Sequence, residues 1–401
     1  MTRIEKLNTA TGGKLDYTID DDKHQTINGS ALTILPALID PHVHFRTPGQ
    51  EYKEDWQTGA RTAIAGGITT VFDMPNNSPD TIDSDSLKSK QVIINKQLKE
   101  VNMPLNFYLY FGATPNNHDT YSLLKNEIIG IKLFMGSSTG NLLVNKKEDQ
   151  AKVFKAATAS DLVVAVHAED ESIIQENYTD SNNVKMHSKI RDRQAATKAV
   201  KQAVELAEKY GTKLYICHIN TKEEIEIIKQ AKNRGIEVYA EVTPHHLFLT
   251  EDDYDQLGTK AQMNPPVRTL EDQRALWQAI GDGVIDTIGT DHAPHSLKEK
   301  AKPYPQSPSG VPGIETLLPL LLNAHSQNKI SLEKIIKLTR TNIQKIFNLP
   351  NNNDKVIVDL NLVKKVENKN LKTKCGWSPF HGWELTGWPV YTVLNNKLYK
   401  C

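Results

Sequence analysis

A few side chains fall where their type and spacing could do chemistry. His42 and His44 lie one residue apart in ALIDPHVHF, an apolar run that reads as a strand. At that spacing both side chains leave the same face, so two imidazoles can hold one ion. His167 and His218 end two further apolar runs, and Asp291 with His292 ends another. Lys132 stands inside the run GIKLFMG, where an ammonium is costly unless it is paired or neutralised. Two readings of it stay open at this point. It is a snorkelling or salt-bridged residue, or its amine has reacted with carbon dioxide to give a carbamate, an anion able to bridge two metal ions. The second requires a deprotonated amine, which burial near cations favours. A single histidine at a strand end is more often structural than a ligand. Four of them with an aspartate, all at equivalent strand ends, point instead to a metal centre.

Those strand ends need a scaffold that gathers them. Apolar runs at 37–45, 69–75, 105–113, 130–136, 162–169, 213–220, 236–244 and 285–294 alternate with helical patterns at 55–65, 84–100, 147–159, 192–209, 222–234, 270–280 and 314–323. Runs rich in β-branched and aromatic residues, without polar alternation, read as strands covered on both faces. Eight of them alternating with helices predict an α/β fold, a (β/α)8 TIM barrel over 37–349 whose carboxyl strand ends share one mouth. A doubly wound open sheet is the rival, weakened because no GxGxxG follows the first strand and no GxxxxGK[ST] loop occurs. Residues 1–36 and 350–401 carry short strand-like pieces between Asn-, Gly- and Asp-rich turns, and are expected to meet in a small β-subdomain. The run Asn351-Asn352-Asn353-Asp354 marks its boundary.

The bulk composition excludes more than it names. The 401 residues hold 48 Lys+Arg against 48 Asp+Glu, without the cationic excess that nucleic-acid binding needs. No 18-residue apolar run or signal-like start is found, which argues against a membrane span. Three cysteines without CxxC spacing suit a reducing, cytoplasmic setting and no disulfide framework. A small-molecule substrate is the partner expected.

Taken in order, the motifs are specific. They are Asp40-Pro-His-Val-His-Phe-Arg46-Thr-Pro-Gly49, Asp73-Met-Pro-Asn76, Gly130-Ile-Lys132-Leu-Phe, His167-Ala-Glu169, Cys217-His218-Ile, Glu241-Val-Thr-Pro-His245-His246-Leu, Met263-Asn264-Pro-Pro266 and Gly289-Thr-Asp291-His-Ala-Pro-His295. Over nearly its whole length the chain resembles the dihydroorotases, of the cyclic amidase branch of the amidohydrolase superfamily. The resemblance implies two Zn2+ ions, one held by His42, His44 and Asp291 and the other by His167 and His218, with N6-carboxylated Lys132 bridging both. It implies a hydroxide nucleophile between the metals, with Asp291 as the base that takes its proton and returns it to the leaving nitrogen. Arg46, Asn76 and His295 resemble the family's set for a substrate carboxylate, and Asn264 with backbone near 311–313 is expected at the ring amide. The implied activity is the reversible cyclisation of N-carbamoyl-L-aspartate to dihydroorotate in de novo pyrimidine (UMP) biosynthesis, with a homodimer as a family-level expectation. A dihydropyrimidinase, hydantoinase or allantoinase would share the metals but needs no cation for a substrate carboxylate, so Arg46 with Asn76 separates them. A barrel that kept its fold and lost its chemistry is disfavoured, because every expected ligand position is filled.

Other residues receive smaller roles. Glu169, Glu241, His245 and His246 are candidates for orienting ligands, and His292 for packing. His24, His118, His187, His325 and His381 lie away from the motifs and read as surface or structural. Cys217 reads as buried and inert. The stretches 136–140 and 296–310 read as candidate lids.

Overall fold

The computed structural model describes residues 1–20, 24–138 and 142–401. The chain opens with β1 (Thr2–Thr9), β2 (Lys14–Ile19), β3 (Gln25–Asn28) and β4 (Thr33–Pro36). Then come eight parallel strands: β5 (Leu38–Val43), β6 (Ile68–Asp73), β7 (Asn106–Gly112), β8 (Gly130–Phe134), β9 (Val164–His167), β10 (Leu214–Ile216), β11 (Val238–Val242) and β12 (Thr287–Ile288). Each pairs with the next in sequence order. Bridging of Val43 to His292, with the His44 amide donating to the His292 carbonyl at 2.8 Å, joins the first strand to the last and closes the barrel.

Each strand is covered twice, which explains its lack of polar alternation. In β10, Leu214 and Ile216 pack outward with the helices, whereas Tyr215, and Cys217 just past the strand, pack with Ile39, Phe72 and Tyr110 inside the barrel. The helices begin where local chemistry dictates. Asp55, Asp83, Thr221 and Thr269 each accept from the backbone three residues on and are capped back by that residue's side chain. The expected helices at 84–100 and 147–159 run as Ser84–Glu100 and Lys147–Ala159. That expected at 314–323 begins only at Leu317 and runs to Ser326. The helical stretch 332–346 lies outside the seven expected helices. Ile343, Ile346 and Phe347 from its end pack inside the barrel, Phe347 meeting the rings of Phe72 and Tyr215 edge-on at 5.0 and 5.3 Å.

The chain ends with β13 (Lys355–Lys365), β14 (Glu384–Leu394) and β15 (Lys397–Lys400). These join the first four strands in one sheet of order β15-β14-β13-β4-β1-β2, with β3 on β1. Its core is Ile4, Leu7, Ile19, Ile34, Ile357 and Val393. Between β13 and β14 the chain leaves that sheet. Val366, Cys375, Trp377 and Phe380 pack against Leu249, Met263, Val267 and Val311, beside the carboxyl ends of the barrel strands. No helix among the described residues is long and apolar enough to cross a membrane.

Candidate metal centre and substrate wall

At the barrel mouth the end of β5 and the loop after β12 bring His42, His44 and Asp291 together. Their ligand atoms lie within 4.8 Å of one another. Asp291 Oδ1 is 3.2 Å from His42 Nε2 and 3.0 Å from His44 Nε2. Across the mouth, His167 Nδ1 faces His218 Nε2 at 3.1 Å, and the rings of His42 and His218 are 5.4 Å apart. All five side chains are buried. Lys132 is buried beside them, its Nζ donating to Cys217 Sγ at 3.1 Å and sitting 5.1 Å from the Phe134 ring. Cys217 is therefore buried as expected but not isolated. Lys132 has no ion pair among the described residues.

The backbone is shaped for this display. Arg46, His218 and Asp291 adopt left-handed φ values of 60°, 41° and 47°. Non-glycine residues hold such conformations only where the surroundings over-determine them, typically at functional sites. The surroundings are visible. Asp40 accepts from the amides of His42 and Thr290 at 3.2 and 3.0 Å, stapling the first strand to the last loop. Asp73 accepts from the Phe45 amide at 2.7 Å and pairs with buried Lys90 at 2.6 Å. Gly289 explains the Gly-Thr-Asp spacing, since a Cβ there would lie 2.5 Å from Glu241 Oε2.

Charges at the mouth are strongly coupled. Burial opposes protonation of His42, but Glu241 and Asp291 outweigh it and push its pKa up to about 10. Burial likewise works against the Asp291 carboxylate, yet His42 and the hydrogen bond from His44 hold it well below the usual range. Burial drives His44 down to about 4 and His218 well below an ordinary imidazole. Glu241 orients the floor: its Oε1 lies 2.8 Å from His42 Nδ1 and accepts from the His218 amide, and its Oε2 accepts from Tyr215 at 2.8 Å. Glu169 lies 3.0 Å from His167 Nε2 and pairs with Arg191.

These residues fit divalent metal ions. Two imidazole nitrogens face each other at hydrogen-bond distance, His218 Nδ1 is buried without a hydrogen-bond partner among the described residues, and the donors are the nitrogen and carboxylate set that zinc takes.

A wall of loops rises beside this floor. Arg46 is buried; its Nε donates to the Pro294 carbonyl at 3.1 Å and its Nη2 lies 3.2 Å from His295 Nε2. It makes no ion pair among the described residues, and burial lowers its pKa to about 10. Asn76 Oδ1 is 2.8 Å from His44 Nδ1, so the wall is bonded to the floor. His44, Arg46, Asn76, Asn264, Asp291, Ser309 and Gly310 line one small cavity. His295, which touches Arg46, stands just behind that lining. The backbone reaching the cavity near 311–313 is that of Gly310.

The Amidohydrolase family model matches residues 33–358. A dihydroorotase of Halobacterium salinarum is 35% identical over 389 residues, 95% of this chain and 87% of that protein. One of Pyrococcus furiosus is 34% identical over 96% of this chain and 84% of its own length. The chain belongs to the dihydroorotase family of amidohydrolases. Among solved structures, the L-hydantoinase (dihydropyrimidinase) of Arthrobacter aurescens superposes with a TM-score of 0.91 at 25% identity, covering 99% of this chain and 95% of that one. Members of this family depend on metal, and the mouth supplies ligand groups for it.

Several residues at this amidohydrolase mouth escaped the sequence motifs. His187, expected to be remote, is buried with its Nε2 2.9 Å from both the Met263 carbonyl and Asn264 Oδ1. It supports Asn264 from a short helix that no strand pattern announces. Arg268 donates to the carbonyls of Ser188 and Arg191 at 3.2 and 2.6 Å, locking that helix to the loop after Asn264. His246 bonds Thr243 Oγ1 and the Pro265 carbonyl, whereas His245 Nε2 is buried without a hydrogen-bond partner among the described residues. His292 is wholly buried and accepts from the Gly313 amide at 3.1 Å. His24 is exposed; His118 pairs with Asp119, and His325 and His381 bond nearby carbonyls. Of the candidate lid at 136–140, Thr139 and Gly140 lie outside the described residues.

Proposed function

We propose that this protein is a dihydroorotase, interconverting dihydroorotate plus water with N-carbamoyl-L-aspartate in pyrimidine biosynthesis. The observation that carries this reading is buried Arg46, whose guanidinium makes no ion pair among the described residues and which lines the cavity with candidate metal ligands. A buried cation without a counterion is costly, and a substrate carboxylate supplies that counterion in bidentate geometry. A cyclic amide without a carboxylate, such as dihydrouracil or hydantoin, would leave it uncompensated.

On this reading His42, His44, His167, His218 and Asp291 would hold two zinc ions, with Lys132, as its N6-carbamate, a further ligand. Such ions supply Lewis acidity and lower the pKa of water toward neutrality. The chain's own residues do the rest. Asp291 takes the proton of the attacking water and hands it to the departing ring nitrogen, base and then acid. Its carboxylate stays ionised for that first step because His42 and His44 stabilise the anion. Arg46, Asn76 and His295 hold the substrate carboxylate, and Asn264, steadied by His187, holds the ring amide. Ring closure uses the same groups in reverse. Cytoplasmic location is supported by three free cysteines, and a homodimer is carried by the family resemblance.

The deciding experiment is a substrate panel. Zinc-loaded protein should open dihydroorotate and leave dihydrouracil, hydantoin and allantoin largely untouched. Efficient turnover of dihydrouracil would overturn the assignment.

A further inference from the structure

The stretch 296–310, rich in Lys, Pro and Ser, is held down rather than loose. Lys300, Tyr304 and Ser307 are all buried. Lys300 is 1% exposed, with no ion pair among the described residues. Its Nζ donates to two backbone carbonyls, Gln262 at 3.0 Å and Pro308 at 2.9 Å, and lies 5.9 Å from the Trp377 ring. Gln262 completes the joint. Its Nε2 donates to the Ser307 carbonyl at 2.8 Å and to Ser309 Oγ at 3.2 Å, and its carbonyl also accepts from the Gly310 amide at 3.0 Å.

The two segments so joined both reach the substrate cavity. Gln262 stands two residues before Asn264, and Pro308 directly before Ser309 and Gly310, which line that cavity with Arg46. The Ser309 carbonyl in turn meets His295 Nε2 at 3.0 Å. Gly310 allows the close approach: its φ is 133°, and a Cβ would lie 2.6 Å from the Ala293 carbonyl.

We infer that Lys300 is a positioning residue for substrate binding, clasping segment 307–310 to segment 262–264 and so setting the gap between Arg46–His295 and Asn264. This rests on the substrate reading above. The clasp needs two N–H donors in one place. Burial lowers the Lys300 pKa to about 7, but the neutral amine still has two N–H groups, so the clasp works in either state.

Lys300→Met removes the donors at similar length, and Lys300→Gln keeps an NH2 with two of them. In Lys300→Met, KM for dihydroorotate should rise roughly tenfold or more while kcat and bound metal stay within about threefold, the pattern of lost substrate positioning. Lys300→Gln should recover most of the loss. Should Lys300→Met fail to fold, Gln262→Met, which cuts the bonds to Ser307 and Ser309, carries the same expectation. An unchanged KM, an equal loss in the Met and Gln variants, or a parallel fall of kcat and metal content would overturn the role. A second readout is independent of the substrate: tryptic cleavage after Lys298, a bond that all three proteins share, in substrate-free protein. Cleavage should be faster in Lys300→Met than in wild type or Lys300→Gln, and equal rates in all three would refute the clasp. If wild type ignores dihydroorotate, the substrate assignment fails while cleavage still judges the clasp.

Discussion

The floor and the wall of the mouth are built by different rules. On the floor, His42, Lys132 and His167 sit on strands, and His44, His218 and Asp291 one to three residues beyond strand ends, so the barrel's hydrogen-bond register sets their positions. The charges there are mutual: Asp291 stabilises His42 and is stabilised by it. On the wall, Arg46, Asn76, Asn264 and His295 stand on loops, and no strand register fixes them. Their supports are single side chains reaching backbone carbonyls: Arg46 to Pro294, His187 to Met263, Lys300 to Gln262 and Pro308. The residues proposed to hold metal are thus set by strand register. Those proposed to recognise the substrate stand on loops, tied to the floor through the Asn76–His44 bond.

That division can be broken at its centre first. Asp291→Asn keeps the shape of the floor but removes the proposed base, and turnover should fall by about 10²–10⁴-fold; near-normal kcat would overturn the base role. Arg46→Met tests the wall. Losing a charged hydrogen bond of roughly 1.5–3 kcal/mol should raise KM by one to two orders of magnitude with bound metal unchanged. Metal loss in that variant would mean that floor and wall are not separable. Glu241→Gln probes the support beneath the floor. It should weaken metal binding by roughly 10–100-fold, read by competition with a chelator, with little change in KM of the fully loaded enzyme. The smallest effect is on stability against pH in metal-free protein. Burial holds His44, His187 and His245 down to about 4 from an ordinary 6.5. Between those values the unfolded chain binds more protons, so stability should fall as pH is lowered from about 6.5 to about 4. His187→Asn should flatten part of that fall, and an unchanged slope would mean that His187 is not held neutral in the fold.

How much could be read from residues alone follows the same division. The strands were legible because burial on both faces removes polar alternation, and the clustering of His42, His44, His167, His218 and Asp291 follows from their placement at strand ends. The wall was legible only in part. Arg46 and His295 lie in motifs adjoining those strands. His187 and Lys300 lie on short helices whose contacts come from tertiary approach, which no periodicity encodes. The helical stretch 332–346 is illegible for another reason. Its apolar residues Ile343, Ile346 and Phe347 plug the barrel from below, and nothing local distinguishes such a plug from a linker.

The excursion between β13 and β14 bears on how far this barrel could be borrowed. Trp377 Nε1 donates to the His295 carbonyl at 2.7 Å, and the Lys374 amide donates to buried Glu54. Every candidate metal ligand lies between positions 42 and 291, yet part of the frame that aims His295 comes from more than 80 positions later in the chain. Grafting the barrel alone onto another protein, or trading its tail for a relative's, would carry over every candidate metal ligand and leave behind the Trp377 bond that holds His295.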